Sequence, residues 1–146
     1  MLYLDTSALL KLYIRESGSE AVQARVVAQD RPLPVWEIQE AELINALRLK
    51  AFWKDITPAQ ADAQIDLFRS RRLRGFYTFP ELRRNELMDT FRLLSAETPR
   101  LGCRTMDILH VACALQLEVT DFLTFDDRQR ALALHAGLRV PQLAKT

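Results

Sequence analysis

The chain opens on a short run of bulky apolar residues, Leu2-Tyr3-Leu4, with the composition of a buried strand. Residues 7–14 then take helical spacing, with Leu9, Leu10 and Tyr13 as the apolar positions. A second helix is expected over residues 17–28, where Ser17 and Glu20 have the spacing of a capping box. Two prolines at 32 and 34 break the pattern, and Val35-Trp36 follows as a short strand. Residues 38–53 read as a helix without Gly or Pro. Thr57-Pro58 supplies an N-cap and a first-turn proline for another helix, which runs to about Arg72 and is closed by Gly75. Phe76-Tyr77-Thr78-Phe79 has strand composition, Pro80 opens a helix to about Glu97, and residues 99–102 form a loop. A strongly apolar helix spans 105–117. Phe122-Leu123-Thr124-Phe125 reads as a strand ended by Asp126, a helix runs to about Ala136, and Gly137 precedes a last strand at Leu138-Arg139-Val140. Strands separated by helices predict an α/β fold: a mostly parallel sheet of four to five strands with helices on both faces, because parallel neighbours need crossover connections.

Composition narrows the class without naming a function. At 146 residues the chain has the size of a single domain, residues 1–146, and 49% apolar with 27% charged residues is the balance of a globular protein. The acid at position 5 stands where a signal peptide would need a basic start and an apolar run, and no apolar stretch reaches spanning length. Cytoplasmic residence, with no membrane partner, is the expectation. Cys103 and Cys113 lack zinc-site spacing, and a helix between them would hold them roughly 15 Å apart, too far for a disulfide; both read as small core residues. A net charge of +1 neither announces nor forbids a nucleic-acid partner.

Ligands bind such sheets at the carboxyl ends of the strands. Asp5 and Asp126 each follow a strand, so both carboxylates are expected on one edge. Glu42 lies in the opening turns of the helix after Val35-Trp36, which a right-handed crossover starts at the same edge. No basic residue stands at its i+3 or i+4 position. Asp107 lies in the first turn of the most apolar helix, where it either caps the helix or serves a site. Asp5 and Asp126 also have capping readings. Gathered together, four carboxylates repel by several kcal/mol unless a cation compensates or some are protonated. An all-oxygen set favours Mg²⁺ or Mn²⁺ over zinc, and such a site suits phosphate-ester chemistry.

With these residues in view, the chain resembles the PIN-domain nucleases, most closely the VapC-type toxins of toxin–antitoxin pairs. Leu4-Asp5-Thr6-Ser7-Ala8-Leu9-Leu10 is similar to the family's opening strand and turn. Ala41-Glu42-Leu43-Ile44-Asn45-Ala46-Leu47 is similar to its second acidic segment, with Glu40 as a rival to Glu42 in poorer register. Asp107-Ile108-Leu109-His110-Val111-Ala112-Cys113-Ala114 resembles its Asp-x-x-His-x-Ala-x-Ala helix, the most specific match. Leu123-Thr124-Phe125-Asp126-Asp127 resembles its Thr-x-Asp segment. The resemblance covers essentially the whole chain. It implies a three-layer α/β/α PIN-like fold and Mg²⁺- or Mn²⁺-dependent endoribonuclease activity. Asp5, Glu42, Asp107 and Asp126 would be the catalytic, metal-binding acids, with Thr6, Ser7 and Thr124 holding carboxylates or water and Asp127 supplementing Asp126. It further implies a homodimer and a cognate antitoxin. His110, one turn beyond Asp107, is expected to hydrogen-bond within its packed helix and is left out of the catalytic set.

Arginines between positions 69 and 84 interleave with Phe76, Tyr77 and Phe79. Arg71 and Arg72 are the candidates for RNA contact, against a reading in which they complement a helix dipole. Among rivals, a haloacid-dehalogenase-type phosphatase needs a second aspartate where Ser7 stands. A PIN-like binding module that does not cleave would tend to lack some of the four acids, and the turn after the first strand has no glycine for a dinucleotide.

Overall fold

The computed structural model describes residues 1–144. Its elements in chain order are β1 (Leu2–Leu4), α1 (Thr6–Leu10), α2 (Ser19–Ala28), β2 (Leu33–Pro34), α3 (Glu37–Phe52), α4 (Pro58–Leu73), β3 (Tyr77–Thr78), α5 (Arg84–Ser95), α6 (Thr98–Leu101), α7 (Thr105–Gln116), β4 (Asp121–Leu123) and α8 (Asp127–His135). Among the described residues no helix is long and apolar enough to cross a membrane.

All strand pairing is parallel, as helical crossovers require. β1 runs beside β4 with Leu2 opposite Asp121, Tyr3 opposite Phe122 and Leu4 opposite Leu123; β2 runs beside β3 with Leu33 opposite Tyr77. Side chains alternate across the strands and divide the core in two. Tyr3 and Phe122 stack face to face on one side, with Val111, Ala112, Cys113 and Leu132 from α7 and α8. Leu2, Leu4 and Leu123 point to the other, against Leu9, Leu43, Leu47 and Phe68 from α1, α3 and α4. This gives three layers, helices over strands over helices.

The expected single sheet of four to five strands is instead two parallel pairs, with the last segment reduced to one bridge between Arg139 and Asp121. Pro34 supplies the physical reason. Leu33 N–H donates to Phe76 O and Val35 N–H to Thr78 O, so the intervening residue faces β1, and a proline there has no N–H to give. Side chains take over the missing ladder: Gln29 Oε1 accepts from Leu2 N at 3.2 Å and Gln39 Nε2 donates to Leu4 O at 2.6 Å. Gln39 is fully buried. Gln39→Ala should therefore orphan a buried carbonyl and cost about 1–3 kcal/mol, read as a lower urea midpoint at unchanged slope; an unchanged midpoint would show the bond is replaced by water.

Local corrections follow the same pattern. The second helix starts at Ser19 behind Gly18, not at a Ser17 capping box: Gly18 is left-handed (φ 89°), and a Cβ there would lie 2.6 Å from the Phe125 ring. The helix expected from Pro80 begins at Arg84, because Gln116 of α7 grips the backbone of Arg83 from both sides, accepting from its N–H at 2.7 Å and donating to its C=O at 3.1 Å. Most of the loop expected at residues 99–102 instead joins Thr98 in the single turn α6 (Thr98–Leu101). The Thr57 cap of α4 forms with Gln60 as a full capping box. Both cysteines are free and buried, and burial pushes the Cys113 thiol up to about 12.

Candidate active site

Three of the four acids sit at helix N-termini, where orphan N–H groups need acceptors. Asp5 caps α1, accepting from Ala8 N at 2.8 Å. Asp107 Oδ2 accepts from Arg104 N at 2.9 Å, and Asp126 caps α8 through Gln129 N at 2.9 Å. The capping readings of the sequence are thus real interactions. Capping does not exhaust a carboxylate, which has about four lone-pair sites. Glu42, one turn into α3, is partly buried and accepts from His110 Nε2 at 2.8 Å.

Asp5 is the most enclosed of the set, 4% exposed. Ser7 Oγ contacts both of its oxygens, at 2.7 and 2.9 Å, and Thr124 Oγ1 lies 2.7 Å from Oδ2. Burial raises its carboxyl above the ordinary carboxylate range; the charge of His110 and the bonds from Ala8, Ser7 and Thr124 offset this only in part. Thr124 Oγ1 is also 2.7 Å from Gln129 Oε1, with one hydroxyl proton to serve both contacts. Both are hydrogen bonds when Asp5 carries a proton and donates it to Thr124. Gln129 Nε2 continues the chain to Asp107 O at 3.2 Å.

His110 is buried and crosses between elements, in contrast to the sequence expectation that its bonds stay within its helix. Tyr3 on β1 lies 2.7 Å from Nδ1, and Glu42 on α3 and Thr6 on α1 meet Nε2 at 2.8 and 3.3 Å. Burial keeps the Tyr3 phenol protonated; its bond to Nδ1 holds the ring, and Glu42 accepts at Nε2. Burial pushes Glu42 up, yet bonds from His110 and Thr6 and the charges of His110 and Arg104 outweigh it and hold the carboxyl below its usual range.

Arg104 is the residue sequence reasoning passed over. Its Nε donates to Asp107 Oδ2 at 3.3 Å, and its Nη2 lies 3.8 Å from Asp126 Oδ2. A basic residue three before the motif aspartate was the available signal, since at a helix N-terminus that spacing brings the two side chains together. Asp127, by contrast, is exposed and lines a shallow depression with Thr124, Phe125 and Arg130. Glu40 is taken by Arg72 at 2.8 Å, so it faces away from this network.

The donor set suits a hard divalent cation in kind, being carboxylate, while the neighbouring Cys103 thiol is pushed up by burial and donates to Arg128 O. The spacing is wider than the chemistry asks for: among the described residues no three acid, His or Cys groups are gathered closely enough to hold one ion. Thr124, Gln129 and Arg104 stand between Asp5, Asp107 and Asp126, and Glu42 is held separately by His110.

The two arginine candidates occupy different settings. Arg71 donates to Leu12 O at 3.2 Å and lies over the Tyr13 ring, while Tyr13 bonds Tyr77. Arg72 stacks on Phe79 at 3.8 Å and lines a groove of about 820 Å³ with Trp36 and Leu109. Trp36 meets His110 edge to face, so this groove adjoins the site.

A sequence model described as PIN domain matches residues 2–134. Ribonuclease VapC46 of Mycobacterium tuberculosis is 29% identical over 141 residues, 95% of each chain. Among solved structures, M. tuberculosis VapC20, a sarcin–ricin loop cleaving toxin, matches with a TM-score of 0.67 at 13% identity, over 90% of this chain and 94% of that one. VapBC-1 of nontypeable Haemophilus influenzae matches with a TM-score of 0.63 at 18% identity, over 97% and 98%. At such identities the structural matches speak for the fold.

Proposed function

Because the chain belongs to the PIN domain family, we propose that it is a metal-dependent endoribonuclease and the toxin of a toxin–antitoxin pair, acting as a single domain. The observation that carries this reading is the set of four acids from four segments at the carboxyl edge of β1 and β4: Asp5, Asp107 and Asp126 are linked through Thr124, Gln129 and Arg104, and Glu42 is held beside them by His110. The resemblance to a VapC ribonuclease over nearly the whole chain supports RNA as substrate, and the match to a VapBC assembly supports an antitoxin partner. A homodimer completes the proposal.

In this reading the four acids hold Mg²⁺ or Mn²⁺, which when bound lowers the pKa of a water and stabilises charge on the phosphate. The protein's own part is orientation. Ser7 and Thr124 fix both oxygens of Asp5, and His110, held by Tyr3, fixes one oxygen of Glu42. RNA would run along the groove between Trp36 and Arg72. Arg71 is committed to the fold, so the test falls on Arg72: Arg72→Ala should weaken RNA binding and lower the slope of log K against log salt by about one. An unchanged slope removes the residue from the interface.

The defining experiment incubates purified protein with a structured RNA and Mg²⁺ or Mn²⁺, against EDTA and against Asp107→Asn. Cleavage abolished by both controls is the expected result. The wide spacing of the acids favours a second reading, a PIN-fold module that binds RNA or protein without cutting; RNA retained intact at saturating metal would select it.

A further inference from the structure

Arg104 shares the edge of the site with three acids, and among the described residues it is the one Arg or Lys in a salt bridge with any of the four. Its backbone N–H and Nε both bond Asp107 Oδ2, at 2.9 and 3.3 Å, and its Nη2 reaches Asp126 Oδ2 at 3.8 Å. Its charge is felt at Glu42 as well. The side chain is 76% exposed, so packing does not fix it; the carboxylates do. Asp107 and Asp126, on separate helices, would otherwise face each other without a counter-charge.

We infer that Arg104 is a resident counter-ion of the acid cluster: in the metal-free protein its guanidinium holds Asp107 and Asp126, and a divalent cation must displace it to bind. This rests on the proposed metal site. It bears on the spacing of the two acids that Arg104 touches, Asp107 and Asp126, in a set where no three groups gather around one ion among the described residues. The guanidinium is the bulkier cation, and its planar fork spaces its acceptors farther apart than a coordinated ion would. Displacement breaks the Nε bond and the Nη2 contact and leaves the Arg104 N–H cap of Asp107 intact, so α7 keeps its N-terminus. The metal concentration at which the site loads is therefore set by this exchange.

The test is Mn²⁺ binding to metal-free wild type, Arg104→Gln and Arg104→Lys, read by isothermal titration without RNA, with circular dichroism to verify the fold. Removing a competing charge a few ångströms from the ligands should tighten Mn²⁺ binding about tenfold in Arg104→Gln. Arg104→Lys keeps the charge and should stay nearer wild type. The melting temperature of metal-free Arg104→Gln should fall, and its rise on adding Mn²⁺ should exceed that of wild type. Weaker or unchanged Mn²⁺ binding by Arg104→Gln, with wild type binding normally, would overturn the counter-ion role and make Arg104 a residue that builds the site. No binding by any of the three would overturn the metal site itself.

Discussion

Asp5→Asn should, under the proposed function, lose metal-dependent RNA cleavage by about three orders of magnitude or more, yet its metal-free form should melt at a higher temperature than wild type at neutral pH. The first effect follows from the proposed role of Asp5 as a charged ligand and any electrostatic work it would do on the phosphate. The second follows from burial. The folded chain raises the Asp5 carboxyl, which means that it favours the protonated form. For a group shifted upward, stability is fully present below the ordinary carboxylate pKa and is lost as pH rises through the folded value. Asn stays neutral throughout. Its Nδ2 can donate to Thr124 Oγ1 in place of the Asp5 proton, and its Oδ1 can accept from Ala8 N. Each kcal/mol recovered raises the melting temperature by about 2–4 °C for a chain of this size. The two proteins should converge in melting temperature at acid pH. If Asp5→Asn instead melted lower at neutral pH, the ionised carboxylate would be a net stabiliser, and the argument from burial would be wrong.

His110→Ala should be the most destabilising single change at the site, by about 3 kcal/mol, with the melting temperature falling by roughly 6–12 °C. The ring is buried between Tyr3 and Trp36, edge to face with both. Its loss opens a cavity and leaves the fully buried Tyr3 hydroxyl without its partner. Glu42 loses its strongest support as well. Its carboxyl lies below the usual range in the native state, so it contributes stability above the ordinary carboxylate pKa that is lost as pH falls through the lowered value. The variant should therefore show a shallower acid limb in a plot of stability against pH. Tyr3→Phe separates the parts: it spares the ring and the Glu42 bond, and should cost about 1 kcal/mol with cleavage largely retained. A His110→Ala protein as stable as wild type would mean that the relay from Tyr3 to Glu42 carries no weight.

What the sequence by itself determined is the alternation of strands and helices and the acids' places in it. Leu2-Tyr3-Leu4 and Phe122-Leu123 could only be buried strands, parallel because helices intervene, and a strand end followed by a helix start puts Asp5 and Asp126 on one edge by chain geometry alone. The Thr57 cap and the apolar α7 were legible for the same reason: their causes lie within a turn of the residues concerned. Only the tertiary structure decided the rest. That Gln29 and Gln39 serve the β1 backbone groups in place of a ladder to β2 depends on which edge Pro34 presents, and the late start of α5 depends on Gln116 from another helix. His110 meeting Tyr3, 107 positions away, and Arg104 reaching across to Asp126 are contacts between elements. No local spacing encodes them, since they exist only once packing has brought the separate side chains within a few ångströms.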